Sequence, residues 1–244
     1  MTKGLSIIIP ILNEADNIIP LLSKMHELTN KASFKHEFIL VDGNSTDNTM
    51  QILKDNIGKN NENIFIYSQD QSYGYGSDIF FGLTKSKYST LSWTHADLQT
   101  ELLDLIEGYS LYEREGSESI VFKGSRIKRP FLDTLLTFLM SVLTFILLRE
   151  WIMDINGQPK IFSRKIFNEI FREKNYPIDF SFDLFFLISA IKNNIKIKTF
   201  NVGFKQRLHG IAKGGGGSLK NRLKLINRTM KYIYKLRVDY KINF

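Results

Sequence analysis

Four short apolar segments, each followed by a polar loop and a helical pattern, constrain the fold of this chain more than any other feature. They are rich in β-branched residues and lie at Leu5–Pro10, Glu37–Val41, Asn63–Tyr67 and Tyr88–Trp93. Short, mostly apolar runs such as the first two are typical of strands that are buried on both faces, as in parallel sheets. Their alternation with helices predicts a Rossmann-like α/β fold, in which helices flank a mostly parallel central sheet.

The second half of the chain is less regular. Strands are predicted at Ser119–Lys123 and Ile195–Phe204, and helices at Phe131–Leu148, Asp179–Lys192 and Leu219–Leu236. The helix at 131–148 is very apolar. The last helix is basic and amphipathic, because its apolar residues recur every three or four positions.

Positive charge is concentrated in the C-terminal part. The formal net charge is +8, and residues 205–244 hold 11 lysines and arginines against one acidic residue. This excess favours an anionic partner, namely a phosphate, a nucleic acid or an acidic membrane surface. The chain contains no cysteine, which excludes a disulfide scaffold, a thiolate zinc site and a cysteine nucleophile.

Two acidic residues, Asp42 and Asp97, fall at the carboxyl ends of predicted strands, where α/β proteins bind their ligands. Asp97 and Gln99 alternate with apolar residues, so in an extended chain their side chains point the same way and could share Mg²⁺ or Mn²⁺. Such an ion would neutralise a diphosphate leaving group. The alternative is a surface acid that caps the following helix.

Taken in order, these and further motifs resemble those of the family 2 glycosyltransferases, which have the GT-A fold. The likeness is greatest to the polyprenyl-phosphate branch, the dolichyl-phosphate mannose synthase-like proteins. It is carried by Ser6–Pro10 with Asn13 and Glu14, Val41–Thr49, Ala96–Gln99, Gly124–Arg126, Asp154–Lys160, Phe182–Leu184 and Arg207–Lys213. We accordingly expect a GT-A domain at 1–215, with a nucleotide-sugar half at 1–115, an acceptor half at 116–215, and a basic helical extension at 216–244.

The resemblance implies roles for particular residues. The nucleotide would be bound by Pro10, Asn13, Glu14, Asp42 and Asp97. The metal would be held by Asp97 and Gln99, with His95 as an open third ligand, since the family usually has Asp at this position. The phosphate of the acceptor or donor would be bound by Arg126, Arg129, Gln158, Arg207 and Lys213, although exposed basic residues are often merely solvated.

Three aspartates are candidates for catalysis: Asp97, Asp154 and Asp183. The resemblance places Asp154 near the donor sugar and metal, as a ligand or an orienting group. A structural cap or an ion pair with Lys160 is the alternative. Asp183 stands where related enzymes that glycosylate hydroxyls have a general base, but it could equally cap a helix.

The apolar helix at 131–148 suggests contact with a membrane. Its 18 residues span about 27 Å, slightly less than the hydrocarbon core of about 30 Å. A spanning helix would separate Gly124–Arg126 from Asp154–Lys160, which should share one pocket, so we expect an interfacial or oligomer-buried helix. The basic C-terminal helix suits anionic lipid, or packs on the catalytic domain. We therefore expect peripheral attachment to the cytoplasmic face of a membrane.

Together these features favour metal-dependent, inverting transfer of a sugar from a GDP- or UDP-linked donor to a polyprenyl phosphate. Because a phosphate acceptor is already anionic, no strong general base is required. Three alternatives stay open. A glycan hydroxyl could be the acceptor, with Asp183 as base; the chain could bind sugar nucleotides without catalysis, since His95 departs from the pattern; or it could bind nucleic acid, although it lacks a recognisable nucleic-acid module.

Overall fold

The computed structural model describes residues 2–57, 62–116, 118–172, 175–205, 207 and 219–239, with side chains of the last helix from residue 227 to 238. Its strands are β1 (Thr2–Ile11), β2 (His36–Asp42), β3 (Ile64–Ser68), β4 (Tyr88–Trp93), β5 (Ile120–Ile127), β6 (Lys160–Ser163) and β7 (Lys196–Gly203). Its helices are α1 (Ala15–Lys31), α2 (Thr49–Asn56), α3 (Tyr75–Lys85), α4 (Asp104–Glu115), α5 (Phe131–Leu148), α6 (Arg164–Ile170), α7 (Phe182–Lys192) and α8 (Leu219–Asp239).

All seven strands belong to one sheet, in the order β3-β2-β1-β4-β6-β5-β7. Strand β1 pairs in parallel with β2 and β4, and β2 pairs in parallel with β3. The four apolar segments are therefore neighbouring parallel strands, as predicted. Their carboxyl ends lie along one edge of the sheet, and the polar loops that follow them meet there.

Strand β6 was not predicted from the sequence. It is four residues long, which is too short to show a periodic pattern. It runs antiparallel between β4 and β5, and β5 in turn pairs in parallel with β7. Because β4 belongs to the first half of the chain and β5 to the second, β6 joins the two halves into a continuous sheet.

Helices cover both faces of the sheet. On one face, α1 packs through the apolar stripe that its sequence predicts, in a cluster with residues of α2 and α4. On the other face, residues of α3, α6 and α7 surround the fully buried Trp93. The uninterrupted apolar character of β1 and β2 follows from this burial on both sides.

Helix α5 faces inward with its polar stripe and outward with its apolar residues. Ser141 and Thr144 are fully buried, and their hydroxyls donate to the carbonyls of Thr137 and Met140, at 3.1 and 2.8 Å. The exposed side chains are Phe131, Leu132, Leu135, Phe138, Leu139, Phe145 and Ile146. By length and composition, α5 could cross a membrane, and only 17% of it is buried within the protein.

Helix α8 forms where the sequence predicts it and packs against α5. Its apolar residues Ile233 and Leu236 are buried in the core cluster around Trp93. In the part of α8 whose side chains are described, the apolar stripe therefore contacts protein rather than lipid. The face that it leaves exposed includes Lys231 and Lys235.

Gly124 in β5 tests how tightly the two halves are joined. A Cβ atom there would lie 2.1 Å from the carbonyl oxygen of Gln158, which is backbone and cannot move aside without disturbing β6. We expect Gly124→Ala to lower the free energy of unfolding by about 1–3 kcal/mol, measured by urea denaturation. Gly203→Ala is the control, because nothing lies within 4 Å of its Cβ position. Equal stability of the two variants would contradict this account.

Candidate active site

The loops after β1 and β2 interlock through side chains that the sequence assigned to the nucleotide. The amide of Asn13 donates to Ser45 Oγ at 2.9 Å, and its side-chain oxygen accepts from the amide of Thr46 at 2.7 Å. Asp42 is buried, and both its carboxylate oxygens accept from the amide of Ser45 at 3.2 Å. Pro10 lies in β1, opposite Val41. The structure thus brings Asn13 and Asp42 to one rigid edge.

Arg207 connects this edge to the end of β4. Its guanidinium donates to Glu14 Oε1 at 2.6 Å and lies 3.6 Å from Asp97 Oδ2. The side chains of Arg207, Glu14 and Asp97 are all largely buried. Residues that are far apart in the sequence therefore form one charged group. Lys213, the other basic residue predicted near here, lies outside the described residues.

The segment that follows β4 corrects one premise of the sequence analysis. Residues 96–97 form a turn, Leu98 has a φ of 55°, and the amide of Gln99 donates to Asp97 Oδ1 at 3.2 Å. Asp97 and Gln99 therefore do not alternate along an extended strand. Among the described residues, no three His, Asp or Glu side chains form a metal-binding group. The donor set nevertheless fits an ion that arrives with substrate, since Mg²⁺ is commonly held by one or two carboxylates and phosphate oxygens.

His95 is packed in an aromatic stack. Its ring lies on that of Tyr75, with centroids 5.4 Å apart and an interplanar angle of 22°. Burial lowers the pKa of His95, although the carboxylates of Asp97 and Asp183 act in the opposite direction. His95 therefore adds a neutral ring, rather than a charge, beside Asp97.

Asp154 is paired with Arg126, whereas Lys160, which was its alternative partner, pairs with Asp183. The Arg126 amide donates to Asp154 Oδ2 at 2.9 Å and its Nε donates to Oδ1 at 3.0 Å. Arg129 lies 3.6 Å from the same carboxylate. Burial alone would raise the pKa of Asp154, but Arg126 and Lys123 outweigh it and lower this pKa to about 2. Asp154 thus orients two arginines.

The group around Asp154 carries more positive than negative charge. Arg126 and Arg129 both stack on Phe204, with guanidinium carbons 5.3 Å from its ring centroid. Lys123, which is 1% exposed, donates to the Asp154 carbonyl at 2.9 Å. Burial lowers the pKa of Lys123 to about 8, so it still carries most of its charge at neutral pH.

Asp183 is buried and holds Lys160. Oδ1 of Asp183 contacts Lys160 Nζ and accepts from Gln158 Nε2 at 2.9 Å and from Trp93 Nε1 at 3.3 Å. Oδ2 accepts from the Tyr75 hydroxyl at 3.1 Å. Asp183 lies inside the first turn of α7, after the cap residue Ser181, so the alternative that it caps this helix does not hold. Its carboxylate is engaged in the core, which does not suit a general base.

Gln158 also lies deeper than its predicted contact with phosphate requires. It is 1% exposed, and its amide nitrogen donates to Asp183 and, at 3.3 Å, to the Tyr75 hydroxyl. Its side-chain oxygen is buried without a partner among the described residues. Gln158 therefore supports Asp183 rather than facing the cleft.

Several residues of this region were missed from the sequence. Tyr75, Trp93 and Phe204 carry no motif, since aromatic residues in an α/β protein are usually core. Lysines inside apolar strand segments, such as Lys123, could have indicated a buried polar site, because a buried lysine requires a partner.

Comparison with known proteins places these motifs in a family. The sequence model described as glycosyl transferase family 2 matches residues 6–171. The dolichyl-phosphate beta-glucosyltransferase of Saccharomyces cerevisiae is 27% identical over 224 residues, which cover 83% of this chain and 67% of that protein. The undecaprenyl-phosphate 4-deoxy-4-formamido-L-arabinose transferase of Pseudomonas fluorescens is 29% identical over 109 residues, 43% of this chain. The match spans only 32% of that relative's length.

Solved structures show the same fold at low sequence identity. Glucosyl-3-phosphoglycerate synthase from Mycobacterium tuberculosis, solved with Mn²⁺ and UDP, has a TM-score of 0.67 and 16% identity, covering 96% of this chain and 80% of that one. A mannosyltransferase from Pyrobaculum calidifontis, in complex with GDP-Man and Mn²⁺, has a TM-score of 0.63 and 16% identity, covering 86% and 59%. The predicted GT-A fold is confirmed, and the chain belongs to glycosyl transferase family 2.

Proposed function

We propose that this protein transfers a sugar, with inversion, from a nucleoside diphosphate sugar to a polyprenyl phosphate at a membrane surface. The observation that carries the proposal is the buried excess of positive charge around Asp154, which adjoins the exposed apolar helix α5. An acceptor that fits both features has a phosphate head and a hydrocarbon tail. The yeast and Pseudomonas relatives, named for dolichyl and undecaprenyl phosphate, support the same acceptor class.

Charge supports an anionic acceptor on the side of the site formed by residues after 115. The largely buried cations Lys123, Arg126, Arg129 and Lys160 face two buried carboxylates, Asp154 and Asp183. Asp133, which is half-buried in the first turn of α5, also acts on Arg129. Burying unbalanced charge is costly, so an anionic ligand at this position is strongly favoured. With Asp133 included, the four cations face three carboxylates, and a phosphate monoester, which carries about −1.5 to −2 charges at neutral pH, would offset the remaining positive charge.

Charge on the donor side has the opposite sign. Glu14 and Asp97 face Arg207, and the buried Asp42 adds a third carboxylate at the end of β2, which leaves an excess of negative charge among these four residues. A diphosphate can bind here if Mg²⁺ or Mn²⁺ accompanies it, and Asp97, with Gln99 beside it, would hold that ion. When bound, the ion would neutralise the charge of the departing diphosphate. Asn13, Glu14 and Asp42 would bind the nucleoside at the rigid edge after β1 and β2.

The environment of Asp183 favours a phosphate over a glycan hydroxyl as acceptor. A hydroxyl must lose its proton to a base, whereas a phosphate oxygen attacks as it is. Asp183, the predicted base, is 1% exposed and already accepts from three side chains besides Lys160. We therefore propose that this chain contributes alignment through Arg126 and Arg129, and needs no strong base.

Helix α5 is proposed to lie in the membrane interface. Arg126 and Asp154 are in contact, although one precedes α5 and the other follows it. If α5 spanned the bilayer, segments 127–130 and 149–153, which include Arg129 and Arg149, would have to cross hydrocarbon to restore this contact. An in-plane helix keeps these two segments out of the hydrocarbon. It also places Arg129 next to lipid phosphates, since Arg129 donates to Thr137 of α5 at 2.7 Å. Exposed lysines of α8 suit an anionic cytoplasmic leaflet.

Removal of the carboxylate charge at Asp97 tests the donor side. We expect Asp97→Asn to abolish most turnover of a GDP- or UDP-sugar while the melting temperature stays close to that of the wild type, because asparagine keeps an oxygen for the amide of Gln99 and Arg207 stays paired with Glu14. Turnover is measured by release of nucleoside diphosphate with and without Mn²⁺. Asp55→Asn, on the exposed side of α2, is the control. Near-normal activity of Asp97→Asn would remove the metal assignment.

Arg129 tests the acceptor side. We expect Arg129→Gln to raise the KM for a short-chain polyprenyl phosphate about 10- to 100-fold, since a hydrogen bond to a charged group contributes about 1.5–3 kcal/mol. The KM for the nucleotide sugar should change little. Arg114→Gln, on the exposed surface of α4, is the matched control. An equal rise in both KM values, or none, would argue against an acceptor phosphate at Arg129.

Vesicle binding tests the placement of α5. We expect the double variant Phe138→Ser/Phe145→Ser to bind vesicles of phosphatidylcholine and phosphatidylglycerol at least about ten-fold more weakly in sedimentation assays, because each exposed ring contributes about 1.5–3 kcal/mol on burial. Ile19→Ser removes an exposed apolar residue of α1 and should have no effect. Unchanged vesicle binding, or a dimer in light scattering that the double variant dissolves, would contradict an interfacial helix.

A further inference from the structure

Three stacked aromatic rings lead from the core to the loop that carries Asp97. The Tyr75 ring lies between those of His95, at 5.4 Å, and Phe180, at 4.7 Å, with interplanar angles of 22° and 16°. Tyr75 is the first residue of α3, His95 lies in the loop after β4, and Phe180 precedes α7. One side chain thus connects three separate segments of the chain.

The Tyr75 side chain is held at its far end by the buried ion pair. Its hydroxyl donates to Asp183 Oδ2 at 3.1 Å, while the other oxygen of Asp183 is taken by Lys160 and its neighbours. Because Asp183 and Lys160 are almost completely buried, this anchor is shielded from water. The ring can therefore neither rotate away nor shift along the stack without breaking a buried hydrogen bond.

The backbone on either side of Tyr75 is equally constrained. The amides of Gly76 and Ser77 donate to the carbonyl oxygen of Ile178, at 2.8 and 3.4 Å. A side chain at Gly76 would clash with the carbonyl oxygen of Pro177, since its Cβ would lie only 2.4 Å away. The start of α3 is thereby fixed against the segment that carries Phe180.

His95, by contrast, depends on the stack. The residues described by the structure form no hydrogen bond to its ring, and Tyr75 supplies the aromatic contact. The turn at 96–97 follows directly, with Asp97 held by the amide of Gln99. The turn that carries Asp97 is therefore supported by His95, whose ring rests on Tyr75, while Arg207 contacts the Asp97 carboxylate at 3.6 Å.

We infer that Tyr75 is a positioning residue, whose ring holds His95 and thereby sets the turn that presents Asp97 to the diphosphate and its ion. The inference rests on the proposed function in that Asp97 binds this ion. Tyr75 touches neither the sugar nor the ion in this scheme. Displacement of a catalytic group by about 1 Å can cost on the order of 100-fold in rate, so a supporting ring of this kind has a measurable effect.

Proton NMR of the histidines tests the inference without relying on activity. The chain has four histidines, so the imidazole signal of His95 is identified by its loss in His95→Gln. We expect Tyr75→Leu to shift this signal, because the ring current of Tyr75 is removed. With UDP or GDP present, we expect Tyr75→Leu to need about ten-fold more Mn²⁺ than the wild type to broaden the His95 signal by half. We also expect it to lower kcat about 10- to 100-fold.

Two further variants separate positioning from stability. Tyr75→Phe keeps the ring but loses the hydroxyl bond to Asp183, so the His95 signal and the Mn²⁺ response should change clearly less than in Tyr75→Leu. Tyr176→Leu removes a ring that stacks on Phe80 at 4.2 Å elsewhere in the core, and it should alter neither property.

The inference is overturned if Tyr75→Leu leaves the His95 signal unshifted, or if Tyr176→Leu weakens the Mn²⁺ response and kcat equally. It is also overturned if Tyr75→Phe loses as much as Tyr75→Leu. If Mn²⁺ with nucleotide fails to broaden the His95 signal of the wild type, the metal assignment of the proposed function fails. The shift caused by Tyr75→Leu then still decides whether Tyr75 holds His95.

Discussion

The pairing of Lys160 with Asp183 is the interaction on which the rest of the site depends. Lys160 lies in β6 and is completely buried, where an unpaired charge would cost several kcal/mol. Asp183 of α7 satisfies it, and it also accepts from Trp93 of β4 and Tyr75 of α3. One carboxylate thus joins four elements beneath the cleft. Burial lowers the pKa of Lys160, and the carboxylate of Asp183 opposes this shift.

Charge divides the site into two sides. The edge formed by β1, β2 and β4 presents Glu14, Asp42 and Asp97, whereas the ends of β5 and the loop before β6 present Arg126, Arg129 and Asp154. A transferase that joins a metal-bound diphosphate donor to an anionic acceptor has use for such a division. The same geometry places the cationic side next to α5, so that electrostatic and apolar contacts would act together on an amphiphilic acceptor.

Sequence patterns predicted where the helices and strands lie better than they predicted which faces of these elements are buried. The periodic apolar stripe of α1 is buried as expected, because an amphipathic helix packs its single apolar face against the core. In α5 the buried positions are instead the hydroxyl residues Ser141 and Thr144, since each donates to the carbonyl about one turn earlier and needs no outside partner. The sequence of a mostly apolar helix does not indicate which of its sides faces the protein. Strand β6 is too short to show a periodic pattern in the sequence.

The sequence by itself determined the α/β class, the parallel strands β1–β4 and the residues that end them, because strand periodicity and loop polarity are local properties. Its ordered motifs also indicated the family and the acidic residues of the site. Only the tertiary structure decided which charged side chains form ion pairs. Asp154 pairs with Arg126 rather than with Lys160. Asp183 pairs with Lys160 in the core and is not free to act as a base. A buried charged group pairs with an opposite charge that lies close to it in the folded chain. Those distances are set by the strand order, which no local sequence pattern contains.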